Sequence, residues 1–291
     1  MLDAIDRLRR FNRAVTREVG ALDHSYLGRG RPLGAARVLQ LITPQGTDIA
    51  DIRAKLALDS GLLSRLLRAL EAEALIQLAT DPIDRRRRTA QLTPAGQTEM
   101  AAYEAIGYAR AAETLARAGS RPQALIDAMD LIATTLLGDQ IEIRDADASD
   151  PAAIACLDAY YQLLTEKIPS LSRDMLTLPL TDPEAYRPPH GGFLIAWSDD
   201  LPIGTVSLRP LDKTTAEVKR LWVDPSARGQ GLARRLMHTV ESRAKTLGYS
   251  QLKLDTNAAL TEAIALYRRD GWQDIPAYTS FPATLWLGKT L

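Results

Sequence analysis

The chain has 291 residues, of which 46% are hydrophobic and 25% charged, as in ordinary globular proteins. At about 150 residues per domain, this length favours two domains. The single cysteine, Cys156, excludes an intramolecular disulfide, and three histidines are too few and too scattered for a Cys/His zinc site, so we expect no metal. No apolar run reaches the ~18 residues of a membrane span, and the acidic start does not resemble a signal peptide. We therefore expect a cytoplasmic protein without a membrane segment.

Charge is balanced over the whole chain, with 36 basic and 36 acidic residues. The part before Gly138 has 19 basic and 16 acidic residues, and the rest has 17 and 20. The first half is only slightly basic, so any binding to DNA must depend on local clusters of positive charge.

The first half of the chain predicts several helices. Apolar residues recur at steps of three and four over residues 3–19, which is the pattern of an amphipathic helix. A second helix is predicted over 33–43 after a proline that favours helix starts. Thr47 is expected to cap a short helix, and Ser60 a longer one with leucines on its inner face. These two form a helix pair with a tight joint.

The second helix of this pair and the segment after it carry polar groups suited to DNA. Away from the leucine stripe lie Ser60, Ser64, Arg65 and Arg68, near the end that a recognition helix presents to the major groove. Short strands predicted over 76–78 and 89–92 form a hairpin with four arginines at its tip: Arg85, Arg86, Arg87 and Arg88. Such arginines can reach phosphates or a narrow minor groove, although an ordinary solvated surface is the alternative for both features.

Over residues 5–137 this order of motifs resembles the MarR family of winged-helix regulators. The resemblance rests on the helix segment 59–71, on Asp-Pro-Ile-Asp-Arg-Arg-Arg-Arg at 81–88, and on Leu-Thr-Pro-Ala-Gly at 92–96. It implies a mainly α-helical, winged helix-turn-helix domain that binds DNA and regulates transcription.

The resemblance also assigns roles within that domain. Asp84 would brace the wing and Arg86 would touch DNA. Helices near 94–117 and 122–137 would join the first helix in building a homodimer. Two recognition helices would then lie about one DNA turn, roughly 34 Å, apart, which implies a pseudo-palindromic double-stranded DNA operator.

The second half predicts a mixed α/β domain that begins after a short linker at 138–141. We therefore place the domain boundary at Gly138, with domains 1–138 and 139–291. The predicted order is strand 141–144, helix 150–167, an irregular stretch 176–190, strands 193–197, 202–210 and 216–223, helix 230–247, strand 251–255 and helix 261–270.

A glycine-rich turn joins the strand 216–223 directly to the following helix. Backbone N–H groups and the positive end of the helix meet at such a turn, which suits a phosphate. Arg228 adds positive charge, Gly229 and Gly231 allow close approach, and Ala233 leaves room in the first helical turn. The turn lacks the Lys-Ser/Thr of a P-loop and the three-glycine spacing of a dinucleotide fold, so both of those sites are excluded.

Residues 141–291 closely resemble the GNAT family of acetyl-CoA-dependent N-acetyltransferases. The resemblance rests on Arg-x-x-Gly-x-Ala, preceded by Leu-Trp-Val-Asp-Pro at 221–225 and followed by a helix ending in Asp-Gly-Trp at 270–272. It implies an acyltransferase fold with a mixed, splayed sheet and acetyl-CoA as cofactor. The implied coenzyme contacts are Leu221, Trp222 and Val223 along the pantetheine arm, Arg228, Gly229, Gln230, Gly231, Leu232 and Ala233 around the pyrophosphate, and Asn257 on the next strand.

The same resemblance names catalytic candidates for transfer to an amine. Tyr267 would contact the coenzyme near its sulfur and act as general acid for the departing thiolate; a core aromatic is the alternative. Glu217 would deprotonate the amine, often through water; a surface glutamate is the alternative. The N–H of Val223 would donate to the thioester oxygen.

The acceptor is expected to be a small-molecule amine that the sequence does not identify. Pocket candidates are Tyr160, Tyr161, Arg173, Trp197, Phe281 and Trp286, unless they serve only packing. Arg173 would suit an amine that carries a carboxylate. The combined prediction is a MarR-type regulator fused to an N-acetyltransferase. Two alternatives stay open: a transcription factor that uses the GNAT fold only to sense acetyl-CoA, and a plain acetyltransferase whose winged helix serves dimerisation.

Overall fold

The computed structural model describes residues 3–80 and 87–291, so the predicted wing residues Asp84, Arg85 and Arg86 lie outside the described residues. The chain divides into two compact units, Met1–Pro122 and Gln123–Leu291. The domain boundary at Gly138 stays a prediction. Within the described residues we find no helix with the length and apolar character needed to cross a bilayer.

The first unit consists of five α-helices and a small antiparallel sheet within its described residues. The sheet has the order β1-β3-β2. In chain order the elements are α1 (Ala4–Glu18), α2 (Leu33–Gln40), β1 (Thr47–Asp48), α3 (Ile49–Leu56), α4 (Ser60–Ala72), β2 (Ile76–Thr80), β3 (Arg88–Leu92) and α5 (Pro94–Arg117).

Two of the expected helix caps are wrong by one residue. The Asp48 side chain, not Thr47, accepts a hydrogen bond at the start of α3, from the N–H of Ala50 at 2.9 Å. At the start of α4, Asp59 rather than Ser60 accepts from Leu62 N–H at 2.8 Å. An aspartate in extended conformation before the first turn satisfies a free N–H group there, as a cap requires. Thr47 pairs instead with β3.

The core of the first unit is built by the inward faces of its helices and the hairpin. Leu63, Leu67 and Leu70 of α4 are buried, as the leucine spacing predicts. On α5, the carboxylate of Glu99 holds Arg29 and Arg31. Hydrogen bonds from Arg29 are the largest cause of the lowered pKa of Glu99, which keeps the carboxylate ionised. This network ties the loop before α2 to α5.

The second unit contains one mixed sheet and four α-helices within its described residues. Its seven strands have the order β4-β5-β6-β7-β8-β10-β9, and the prediction of a mixed α/β fold is confirmed. In chain order the elements are α6 (Pro122–Leu136), β4 (Glu142–Asp145), α7 (Pro151–Lys167), β5 (Gly192–Ser198), β6 (Leu201–Pro210), β7 (Thr215–Val223), α8 (Leu232–Thr246), β8 (Gln251–Thr256), α9 (Thr261–Arg269), β9 (Gln273–Asp274) and β10 (Leu285–Thr290). The last two strands were not predicted.

The two faces of this sheet pack against different layers. On one face, Leu236, Met237 and Val240 of α8 join a core with residues of β6 and β7. On the other, Cys156 and Leu157 of α7 join a second buried cluster. The sheet is therefore covered on both sides, which explains the nearly continuous burial of β5 and β6.

Strands β7 and β8 are parallel but pair only at their beginnings. The paired residues are Thr215 with Gln251, Ala216 with Leu252, and Glu217 with Lys253. Beyond these, β7 continues to Val223 without a partner on the β8 side. The sheet thus opens into a V between the two strands, as the splayed architecture predicts.

Candidate active site

A cleft of about 210 Å³ lies where β7 and β8 separate. Its walls come from α7, β7, β8, α9 and the loop before β10. The polar and aromatic residues of the wall are Tyr160, Tyr161, Lys219, Arg220, Asp255, Thr256, Asn257 and Tyr267, and the remainder are aliphatic residues, among them Leu221. Within the described residues no cluster of His, Cys, Asp and Glu side chains suits a metal ion. The cleft presents tyrosine hydroxyls, charged side chains and an open strand edge.

The N–H of Val223 points into the opened edge of β7. Asp224 donates its N–H to the carbonyl of Ile203 at 2.9 Å, so this pair is hydrogen-bonded across β6 and β7. Opposed pairs alternate along an antiparallel ladder, which makes the neighbouring pair, Gly204 and Val223, a non-hydrogen-bonded one. The N–H of Val223 therefore faces away from β6, towards the opening between β7 and β8.

The glycine-rich turn ends at the N-terminus of α8, and no side chain caps that helix. Gly231 holds the capping position with φ +79°, and Gly229 has φ +76°. A Cβ built on either glycine meets no atom within 4 Å, so the space above the turn is open. Uncapped N–H groups and the positive helix end facing an open space are what a pyrophosphate needs, so the turn fits this part of coenzyme A.

Tyr267 lies on the inner face of α9 and reaches the cleft. It is buried, and its ring centroid lies 6.1 Å from that of Trp272. Burial raises the pKa of the Tyr267 hydroxyl, and Tyr160 and Asp255 act in the same direction. The hydroxyl therefore keeps its proton at neutral pH, which a general acid requires.

Glu217 is completely buried, contrary to a simple surface role. Its carboxylate accepts hydrogen bonds from Arg209 Nε at 2.7 Å and from the Tyr278 hydroxyl at 3.0 Å. Lys219 Nζ lies 3.5 Å from the same group. Glu217 is not part of the cleft wall, so it reaches the cleft only through these neighbours.

A second chain of polar side chains adjoins Glu217, and part of it comes from a segment that no sequence motif marks. Lys219 Nζ donates to Asp255 at 2.7 Å, and the Thr279 hydroxyl donates to the other oxygen of Asp255 at 2.9 Å. Tyr278 and Thr279 belong to the loop before β10. Their contribution depends on where that strand joins the sheet, which no local motif indicates.

Other predicted coenzyme contacts have partners within the chain. The side-chain amide of Asn257 donates to Pro282 O at 2.6 Å and accepts from Ala259 N–H at 2.9 Å, although the residue lines the cleft. Trp222 packs in the α7-side core. Arg228 is exposed and donates to Val223 O at 3.2 Å.

Of the predicted acceptor-pocket residues, Tyr160 and Tyr161 line the cleft. Arg173 does not, because it donates to Asp158 and to Leu176 O at 2.7 Å each. The other candidates lie outside the cleft wall: Trp197, Phe281 and Trp286.

In the first unit the structure places the predicted recognition side chains on one exposed surface of α4. Ser60, Ser64, Arg65 and Arg68 are all exposed, whereas Leu63, Leu67 and Leu70 of the same helix are buried. Arg68 Nε donates to Ser64 O at 3.1 Å. Arg87 and Arg88 are also exposed, and Arg87 pairs with Asp48 at 3.1 Å.

Comparison with known proteins gives a consistent result for the second unit. Residues 157–272 match the profile of the family described as "Acetyltransferase (GNAT) family". An uncharacterised N-acetyltransferase of Schizosaccharomyces pombe is 31% identical over 133 residues, which covers 43% of this chain and 82% of that protein. N-acetyltransferase family 8 member 5 of Mus musculus is 34% identical over 108 residues.

The mouse match covers 35% of this chain and 48% of the mouse protein, so the chain spans about half the length of that relative. Among solved structures, a GNAT family acetyltransferase from Elizabethkingia anophelis with acetyl-CoA bound aligns with a TM-score of 0.39 and 23% identity. That alignment covers 53% of this chain and 99% of the other.

Proposed function

The chain belongs to the GNAT acetyltransferase family, whose members use acetyl-CoA, and we propose that its second unit transfers the acetyl group of acetyl-CoA to the amine of a small molecule. The observation that carries this proposal is the opening between β7 and β8. It combines a free strand amide at Val223, an uncapped helix N-terminus at Gly231 and the buried hydroxyl of Tyr267.

Each residue has a proposed task in that reaction. Acetyl-CoA supplies an activated acetyl thioester. The Val223 N–H stabilises negative charge that develops on a carbonyl oxygen, because a fixed amide needs no reorganisation. The Tyr267 hydroxyl holds the proton that a thiolate leaving group requires. The turn from Arg228 to Ala233 holds the pyrophosphate.

Glu217 is the proposed proton acceptor for the amine. Since its carboxylate is buried and already accepts from Arg209 and Tyr278, the proton would travel through a hydroxyl or a water molecule. Its negative charge also balances Arg209 and Lys219, of which Lys219 lines the cleft.

Acetyl-CoA is expected to raise the midpoint of thermal unfolding of the second unit. Ligand at ~100 times its dissociation constant adds roughly 2.7 kcal/mol of stability to the domain that binds it. Calorimetry with and without acetyl-CoA measures the shift. No shift at millimolar acetyl-CoA contradicts the proposed cofactor site.

A pair of glycine variants localises that binding. Gly231→Ala places a methyl group in the open space above the helix end and should remove the shift. Gly248→Ala is its matched control, because Gly248 also has a positive φ of +89° and open space, but follows the other end of α8. Equal losses in both variants would mean that the turn does not hold the ligand.

We further propose that the first unit is a MarR-like, winged-helix DNA-binding domain, so that the protein is a bifunctional regulator. Support comes from α3, α4 and the β2–β3 pairing in that order, with exposed serines and arginines on α4. A homodimer through this unit is part of the proposal, and α1 supports it: Ile5 and Leu8 are exposed, and the helix buries no residue in the single chain.

Replacing Arg65 and Arg68 by alanine should weaken binding to DNA. Each phosphate contact that is lost reduces the slope of log affinity against log salt by about one. Titrations of the parent and the double variant at several salt concentrations measure that slope. Arg37→Ala, an exposed arginine on α2, serves as control. If the parent shows no sequence-specific binding to DNA, the result supports the alternative in which the first unit serves only dimerisation.

A further inference from the structure

Arg220 occupies an irregular point of β7. The register between β6 and β7 shifts between Thr205 and Ser207, opposite Arg220, and Arg220 itself has φ +57°. A non-glycine residue with positive φ in a strand is strained and persists only when its surroundings hold it. The bulge changes which face of the sheet the following side chains occupy.

That change brings Arg220 to the same side as Glu217 and Lys219. With regular alternation Arg220 would follow Val218 into the core that packs on α8. Instead its guanidinium lies 4.8 Å from the centroid of the Tyr186 ring and donates to the Tyr186 hydroxyl. Tyr186 belongs to the core on the α7 side.

The guanidinium of Arg220 has no carboxylate partner in the part of the chain that the structure describes. Its Nε is buried and has no hydrogen-bond partner there. The nearby cations are different, because Arg209 pairs with Glu217 and Lys219 with Asp255. Arg220 is partly buried, and a partly desolvated cation without a carboxylate partner is stabilised when an anion completes the site.

Arg220 also lines the cleft, which gives that anion a way in. Tyr160, Tyr161 and Leu176 stand around the same space and offer apolar surface. Tyr267, the proposed general acid, lies in the same wall. A ligand held by Arg220 is therefore next to the reacting centre and in contact with aromatic side chains.

We propose that Arg220 binds the carboxylate of the acetyl acceptor, so that the acceptor is a small amino acid with an apolar side chain. This assignment rests on the acetyl transfer proposed above. A planar guanidinium matches a carboxylate in shape and charge and fixes the orientation of its amine. It replaces Arg173, the arginine expected from the sequence, whose guanidinium is already paired with Asp158.

Matched amines test the assignment through thiol release from acetyl-CoA. L-Phenylalanine is compared with phenethylamine, and L-methionine with 3-(methylthio)propylamine. We expect the amino acids to have kcat/KM values at least about 30-fold higher than the amines without a carboxylate, because truncating one partner of a desolvated charged pair has an effect of this size. Arg220→Gln should remove the preference by raising KM for the amino acids.

Two further variants separate recognition from folding. Arg220→Lys keeps the charge but not the planar fork, and should retain part of the preference. Arg173→Gln should leave the preference for amino acids over the matching amines unchanged. The assignment is overturned if the parent acetylates each amino acid and its matching amine equally well. It is also overturned if the parent binds acetyl-CoA but acetylates neither compound of either pair. A weaker affinity for acetyl-CoA in Arg220→Gln would place the anion on the coenzyme instead. Failure of the parent to bind acetyl-CoA contradicts the proposed acetyl transfer itself.

Discussion

Replacing Tyr267 by phenylalanine lowers kcat for acetyl transfer by about 100-fold or more, which is the usual contribution of a positioned general acid. The ring and its contact with Trp272 remain, and only the hydroxyl is lost. Because burial raises the pKa of this hydroxyl, it stays protonated through neutral and mildly alkaline pH. The parent should therefore show no loss of rate from Tyr267 deprotonation below its ordinary pKa of about 10. Steady-state thiol release over pH measures both effects.

Binding of acetyl-CoA should be unchanged in Tyr267→Phe, which makes the thermal shift a control for an intact site. Tyr160→Phe is the matched variant, because burial also raises the pKa of this cleft-lining tyrosine. A Tyr267→Phe protein that keeps half of the parent kcat contradicts the general-acid role. A different outcome favours the alternative of a transcription factor that only senses acetyl-CoA. In that case the parent has no turnover, while the parent and Tyr267→Phe both bind acetyl-CoA and both change their affinity for DNA when they bind it.

Glu217→Ala is expected to destabilise the second unit by about 3 kcal/mol, because it leaves buried partners without their counter-charge. This cost is at the lower end of the range for breaking a buried ion pair, because the Arg209 and Lys219 side chains are 32% and 23% exposed and regain some hydration. The Tyr278 hydroxyl also loses its acceptor. Denaturant unfolding of the second unit measures the loss.

Glu217→Gln separates the structural role of this group from its proposed role in proton transfer. The amide oxygen still accepts a hydrogen bond, so this variant should fold, but it cannot take a proton and kcat should fall.

Glu184→Ala is the surface control for the stability measurement. Glu184 also pairs with an arginine, but its side chain is 76% exposed, so its loss should change stability much less. A Glu217→Ala protein as stable as the parent contradicts the expected cost, and a Glu217→Gln protein with parent kcat contradicts the base role.

The amino-acid sequence by itself determined the features that depend on residues close together in the chain. Helices such as α5 and α7 follow from periodic apolar positions and an initial proline. The strand-turn-helix around Gly229 and Gly231 follows from glycines at fixed spacing, because positive φ is a property of those residues themselves. The glycine-rich turn and a tyrosine at position 267 on the following helix can therefore be predicted from local sequence alone.

Only the tertiary structure decided the features that join distant segments. Glu217 meets Tyr278 because β10 joins the sheet beside β8, and the short strand β10 shows no clear alternation of burial. Arg220 faces the cleft because a bulge against β6 changes its side of the sheet. Strand pairing sets these contacts, and pairing depends on long-range register rather than on local propensity. For the same reason, residue type alone predicts Arg173 as a partner for a carboxylate. The structure gives the Arg173 guanidinium an acidic partner, Asp158, and gives Arg220 none among the described residues.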